Sequence, residues 1–257
     1  MKTIALFGLL AILALAAGAQ TTPPIPRTAD GKPDLSGVWQ GGNLAFAIGA
    51  ERAKAEQSAA PPPAAARREP PPYQPWAAAK VQEYVDRKAI DDPMARCLLI
   101  GVPRITSSPM PMQIAQMPGQ VIFLYETFHA FRVVPTDGRK HPDDVDSSFM
   151  GDSVGHWEGD TLVVDVVGFN DKTWLAGVGS FHSEALHVTE RYTRASYNTI
   201  AYDVTLEDPK VFTKPWNIHS NIWLRPGERL REYECAENNE DILRFESILK
   251  HDAAGKK

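Results

Sequence analysis

From Met112 onward the chain is built of short alternating or β-branched segments separated by tight-turn residues. The segments are Met112–Met117, Gln120–Glu126, His129–Val134, Ser153–Trp157, Asp160–Phe169, Leu186–Arg194, Thr199–Glu207, Lys210–Leu224 and Glu228–Glu237. Pro118-Gly119, Glu158-Gly159 and Arg225-Pro226-Gly227 separate neighbouring segments, and turns of this kind join antiparallel strands. In Thr199–Glu207 the residues Ile200, Tyr202, Val204 and Leu206 alternate with Ala201, Asp203, Thr205 and Glu207. That is a strand with one buried face. A run of such strands removes its exposed edges by curling into an antiparallel β-barrel, so the expected class is mainly β. No repeat of fixed period is present, which disfavours a propeller or solenoid.

The first half has a different character. Sixteen of the 21 prolines precede residue 120, and proline removes backbone donors from helices and ladders. The run Ala59 to Pro72 is Pro/Ala-rich and reads as an extended arm. One helix is expected over 75–90, opened by Pro75, with Ala77, Val81, Tyr84, Val85 and Ala89 on one face. The organisation expected is a signal peptide over 1–19, an arm over 20–74, that helix, and a barrel domain over 91–250.

The N-terminal twenty residues read as an address. Lys2 is followed by an apolar run from Ile4 to Leu15 and by Ala17-Gly18-Ala19, a small-x-small cleavage site. The run is too short for a spanning helix with stop-transfer flanks, and no second one follows. A periplasmic or secreted location without a membrane span is therefore expected. Export changes how the two cysteines are read: Cys97 and Cys235 are expected to form one disulfide. The chain-entropy model assigns such a long loop about 4–5 kcal/mol.

Gly37-Val38-Trp39 near the mature start resembles the Gly-x-Trp opening of lipocalin-type (calycin) barrels. A longer text, Gly151-Asp152-Ser153-Val154-Gly155-His156-Trp157-Glu158-Gly159-Asp160-Thr161-Leu162-Val163-Val164-Asp165, comes with Glu190-Arg191-Tyr192-Thr193-Arg194 and Asp208-Pro209-Lys210-Val211-Phe212-Thr213-Lys214-Pro215-Trp216. Together these resemble a family of secreted bacterial β-rich proteins, over roughly residues 90–240. The resemblance implies export and a β-rich, calycin-like fold, and it carries no site residues.

The hairpin around Gly159 brings ionisable residues onto one strand face. With Glu158-Gly159 as a two-residue loop, Asp152 opposes Asp165, and His156 shares their face. Opposed carboxylates need a proton, an arginine or a metal between them. Asp165, Asp152 and His156, with His129 and His187, are thus the candidate acid–base residues. Glu190 and Arg191 lie on opposite strand faces, and whichever points inward needs a partner. Tyr125, Arg191, Tyr192, Trp157 and Trp216 are the candidate substrate-binding residues, since aromatic rings at a barrel mouth stack on aromatic or sugar-like molecules. Gly151-Asp152-Ser153-Val154-Gly155 matches the Gly-x-Ser-x-Gly of serine hydrolases, but a β-hairpin follows where an elbow needs a helix. His182, Glu184 and His187 offer metal-ligand types, yet His187 falls on the opposite strand face from the other two. No metal is assigned. Asp137 to Asp146 mixes acids and bases without calcium-loop spacing.

The pI near 5.8 and net charge of -5 leave no electrostatic footprint for nucleic acid. Phosphate-loop and dinucleotide motifs are absent from the sequence, so no cofactor is expected. The function expected is an exported, cofactor-independent lyase, isomerase or hydrolase that works by acid–base chemistry on a small organic molecule in the barrel hollow. The alternatives are a non-catalytic lipocalin-like carrier of the same molecule and a serine hydrolase using Ser153. Secretion of the full chain should yield a mature N-terminus at Gln20, read by N-terminal sequencing. An N-terminus at Met1 on exported material would refute the cleavage site.

Overall fold

The structure is a computed structural model. It describes residues 23–41, 70–87, 90–177, 179–237, 239, 240, 244, 247, 248, 250 and 251. The expected signal peptide and the Pro/Ala-rich run over 59–69 lie outside the described residues.

Nine strands form one antiparallel sheet: β1 (Gly37–Gly41), β2 (Pro111–Met117), β3 (Gln120–Tyr125), β4 (Phe131–Pro135), β5 (Asp152–Glu158), β6 (Thr161–Val167), β7 (His187–Ser196), β8 (Thr199–Glu207) and β9 (Trp216–Leu224). Their order is β4-β3-β2-β1-β9-β8-β7-β6-β5. Each strand therefore lies beside its neighbours in sequence, and β1 closes onto β9 through Trp39↔Leu224, Gln40↔Trp223 and Gly41↔Ile222. No ladder joins β4 to β5, which are separated by the connection over 136–151. Side chains meet there instead. A Cβ on Gly155 would stand 2.8 Å from Val134 Cγ1 and 3.2 Å from Thr136 Cγ2, so the approach at this seam requires glycine. The sheet is thus a nearly closed up-and-down barrel.

The alternation of the strands decides what faces in. Ile200, Tyr202, Val204 and Leu206 of β8 are buried, as are Leu162, Val164 and Val166 of β6 and Val121, Phe123 and Tyr125 of β3. Each aliphatic side chain so buried contributes about 1.5–3 kcal/mol relative to exposure. Residues 101–108 have no regular structure yet are buried throughout, and Ile105 joins the barrel core. Thr106 Oγ1 lies 3.2 Å from the Tyr125 hydroxyl, and Ser108 Oγ 2.6 Å from Thr127 Oγ1, so these two hydroxyls find partners inside, while the buried Ser107 hydroxyl has none.

The barrel centre holds an ion pair. Arg132 of β4 donates to Glu190 Oε2 of β7 at 2.5 Å, and their side chains are 3% and 0% exposed. Glu190 Oε1 also accepts from Tyr192 at 2.8 Å and Tyr202 at 2.6 Å. The guanidinium lies over the Phe123 ring, 4.8 Å from its centroid. Burial pulls the Arg132 pKa down, but Glu190 and the surrounding tyrosines outweigh it and hold the guanidinium charged. Burial, reinforced by the Glu190 charge, pushes the Tyr192 and Tyr202 hydroxyls well above their ordinary value.

Three expectations about the chain need correction. Glu228–Glu237 is not a strand. Glu228, Arg229, Arg231, Glu232 and Glu234 are exposed, and Leu230 and Tyr233 alone cannot make a buried face. The ninth strand is β1, inside the stretch expected to be an extended arm. Leu35 and Trp39 are fully buried there, and the Trp39 indole donates to Leu35 O at 2.8 Å, which anchors a strand too short to read by alternation. The helix, α1 (Pro75–Asp86), is shorter than 75–90; the Arg87 N–H bonds Glu83 O and Val85 O at its end, and Ala89 lies outside the described residues. α1 packs through Tyr84 on Trp174, with ring centroids 5.0 Å apart.

The Cys97–Cys235 disulfide forms, with Cα atoms 5.6 Å apart. It staples the irregular segment after β9 to the turn before residues 101–108. The same segment is held by Arg231 N–H on Glu126 Oε2 at 2.8 Å and by Tyr233 N–H on His129 Nε2 at 3.1 Å.

Replacing Glu190 with Ala leaves a buried unpaired guanidinium and should cost about 3–5 kcal/mol in urea unfolding. Combining it with Arg132→Met should recover a large part of that loss, and additive losses would refute the coupling. A second consequence appears at alkaline pH. Tyr73, Tyr125, Tyr192 and Tyr202 all have raised values, Tyr73 to about 12, chiefly through burial. A pKa higher in the folded than in the unfolded state gives stability that is present below about pH 10 and lost as pH rises above it. The 295 nm absorbance of these four tyrosines should therefore rise together with loss of the far-ultraviolet β signal. Ionisation of all four before unfolding would contradict the buried cluster.

A carboxylate–imidazole chain as the candidate functional site

The β5–β6 hairpin turns one residue later than the spacing predicts. Glu158 pairs with Thr161, so Gly159-Asp160 is the loop. Gly159 has φ +60° at the first central position, where a type II′ hairpin places glycine. Arg27 grips the Asp160 carboxylate at 2.9 and 2.6 Å and holds the turn in this phase. Moving a two-residue loop by one position slides the register by two, so the faces survive while the opposite partners change. Asp165 opposes Val154, and Asp152 opposes Val167. The two carboxylates are on one face but not directly opposed.

That face is the outer wall of the barrel, since Leu162, Val164 and Val166 point inward. His141, from the β4–β5 connection, bridges the two acids. Its Nδ1 lies 2.5 Å from Asp152 Oδ1 and its Nε2 3.0 Å from Asp165 Oδ2. The other oxygen of Asp165 meets His187 Nε2 at 2.6 Å. His187 Nδ1 faces Glu207 Oε2 at 3.4 Å, an ion-pair distance looser than a well-formed hydrogen bond. His187 and Glu207 are register partners on β7 and β8. The result is a chain Asp152–His141–Asp165–His187–Glu207 that crosses four adjacent strands. Exposure is lowest at the His141 side chain, 18%, against 38% at Asp152 and 47% at Glu207, so the chain is sheltered around His141 and open at both ends.

Of the five expected acid–base residues, Asp152, Asp165 and His187 come together and two do not. His156 lies on the same wall but is 58% exposed and pairs with Glu158 at 3.1 Å. His129 occupies an exposed turn, where its Nε2 accepts the Tyr233 N–H. The expected binding residues also divide. Tyr125 and Tyr192 are buried in the barrel centre, and Trp216 is buried against Phe212 with ring centroids 5.9 Å apart. Arg191 points outward to Glu158 at 2.7 Å, and Trp157 is half-buried with the Lys32 ammonium 5.8 Å from its ring centroid. Arg191 therefore shares the outer wall with Asp165 and His187, whereas Tyr125, Tyr192, Trp157 and Trp216 do not.

Ser153 lies within β5 with its hydroxyl buried and without a hydrogen-bond partner. It is not on a strand-to-helix turn, and no imidazole activates it. His182 is buried between Thr173 Oγ1 at 2.6 Å and Ser183 O at 2.9 Å. Its Nδ1–H donates to that carbonyl and its Nε2 accepts from Thr173, while burial pushes its pKa down. Glu184 is exposed. Among the described residues no three His, Cys, Asp or Glu side chains are arranged to hold a metal ion.

His141 and Glu207 are the members that sequence reasoning missed. Glu207 was visible as the last outward residue of an alternating strand. His141 sat in a loop of mixed charges, and only a loop path across β5 and β6 brings it to the acids. No family model, curated protein or solved structure matches this chain.

Proposed function

We propose that the protein is an exported acid–base enzyme acting on a small organic molecule at the outer wall of the barrel. The observation that carries this reading is the Asp165–His187 contact at 2.6 Å, with the second nitrogen of His187 held only loosely by exposed Glu207. An imidazole oriented by a carboxylate on one side and open on the other is the working part of a proton-transfer site. Asp165 accepts the Nε2–H, fixes the tautomer, and stabilises the imidazolium that forms when Nδ1 takes a proton. Returning that proton to a leaving group or to a neighbouring carbon completes a lyase, isomerase or hydrolase cycle. These steps use side chains of this chain alone.

The hollow is the weaker place for such chemistry. Phe123, Tyr192 and Tyr202 are fully buried there, with Tyr192 ring centroids 5.2 and 4.9 Å from the other two, and the Arg132–Glu190 pair lies among them. The disulfide supports work in an oxidising compartment, in keeping with export.

The test is a turnover screen over small esters, lactones and β-hydroxy carbonyl compounds with the mature chain. Any activity found should fall about 10²- to 10⁴-fold in His187→Asn and in Asp165→Asn. Turnover that survives His187→Asn would overturn the assignment.

A further inference from the structure

The connection between β4 and β5 crosses the outer wall next to the site proposed above. One end is fixed by the Thr136 N–H on Gly119 O at 2.8 Å. The other is fixed by the Ser148 N–H on Gly168 O at 2.9 Å and the Asn170 N–H on Ser148 O at 2.8 Å. Between these anchors, every residue of 137–144 is exposed except His141. Arg139 is turned back on Asp137 of its own segment, at 2.6 Å. His141 is thus the residue that attaches this stretch to the wall, and it does so through both ring nitrogens.

Both contacts need a proton. Carboxylates only accept, and a neutral imidazole has one N–H and one bare nitrogen. A neutral His141 would set a lone pair against a carboxylate oxygen at 2.5 or 3.0 Å. The observed geometry therefore belongs to the imidazolium, whose two N–H groups serve Asp152 and Asp165 together. The surroundings agree. From the wall, His141 faces Asp152 of β5 and Asp165 of β6, with His187 of β7 and Glu207 of β8 beyond Asp165. Its own segment adds Lys140 beside it, the paired Asp137 and Arg139, and Asp143, Asp144 and Asp146.

We infer that His141 is a proton-operated latch that closes residues 137–144 over the Asp165–His187 pair. With the proton present the stretch lies on the wall and Asp165 Oδ2 is taken. Loss of the proton turns one of the two contacts repulsive, frees the stretch, and bares that oxygen. The latch rests on the acid–base reading for its purpose, but its mechanics can be tested without any substrate.

The measurement is ¹³Cα relaxation of residues 138–144 in the mature chain between about pH 5.5 and 8.5, read as order parameters. In the native sequence they should fall from about 0.85 to below about 0.6 across that range. In His141→Ala they should be low and flat at all pH values. In Asp152→Asn they should stay high at high pH, because the amide can donate to a bare Nδ1. His187→Asn, which ends the proposed proton transfer, should keep the pH-dependent ordering, so failure of the catalytic reading leaves the latch standing. Order parameters independent of pH in the native chain, or unchanged in His141→Ala, would overturn the inference.

Discussion

The ion pair between Arg132 and Glu190 is the constraint on which the rest of the barrel depends. β4 and β7 are not neighbours, and β4 has no ladder to β5. Desolvating these two charges costs several kcal/mol per ion, which only good geometry and extra hydrogen bonds offset. Tyr192 and Tyr202 supply those bonds, and Phe123 offers its ring face to the guanidinium. A pair with such stringent requirements specifies one arrangement of strands. If β4 splayed outward, Glu190 would stay behind as a buried, uncompensated charge. The pair therefore acts as a tie across the hollow where backbone hydrogen bonding is missing.

The tie also explains why the chemistry falls outside. Alternation sends every second residue of β5 to β8 to one face, and the inward face is committed to packing and to the central pair. The outward face of the same strands carries Asp152, Asp165, His187 and Glu207. A polar site on a barrel wall needs a cover to raise it above an ordinary solvated surface. The long connection from β4 supplies that cover, and with it the second imidazole.

Much of this was legible in the sequence, for identifiable reasons. β8 alternates over nine residues, and every inward position it implied is buried. The grouping of Asp152 with Asp165 survived an error in the turn, because a slip of the loop by one residue preserves strand faces. The need for a partner to whichever of Glu190 and Arg191 pointed inward was readable. Its identity as Arg132 was not, because strands that meet across a hollow leave no trace in local periodicity. β1 was hidden for another reason: five residues bounded by glycines carry too little alternation, and tertiary burial of Trp39 makes the strand. His141 was obscured because its position depends on the path of an irregular segment, which no propensity encodes.

The β4–β5 seam has a consequence of its own. Two strand borders face each other there without exchanging backbone hydrogen bonds, so each presents donors and acceptors to whatever lies alongside. Exposed borders of this kind invite pairing between separate molecules. Here the invitation is limited at both margins: Pro135 ends β4 without an amide hydrogen, and β5 begins and ends with Asp152 and Glu158. A molecule fastened by a central charge pair and guarded by a proline and two acids can leave one joint of its wall unzipped without becoming a template for its own aggregation.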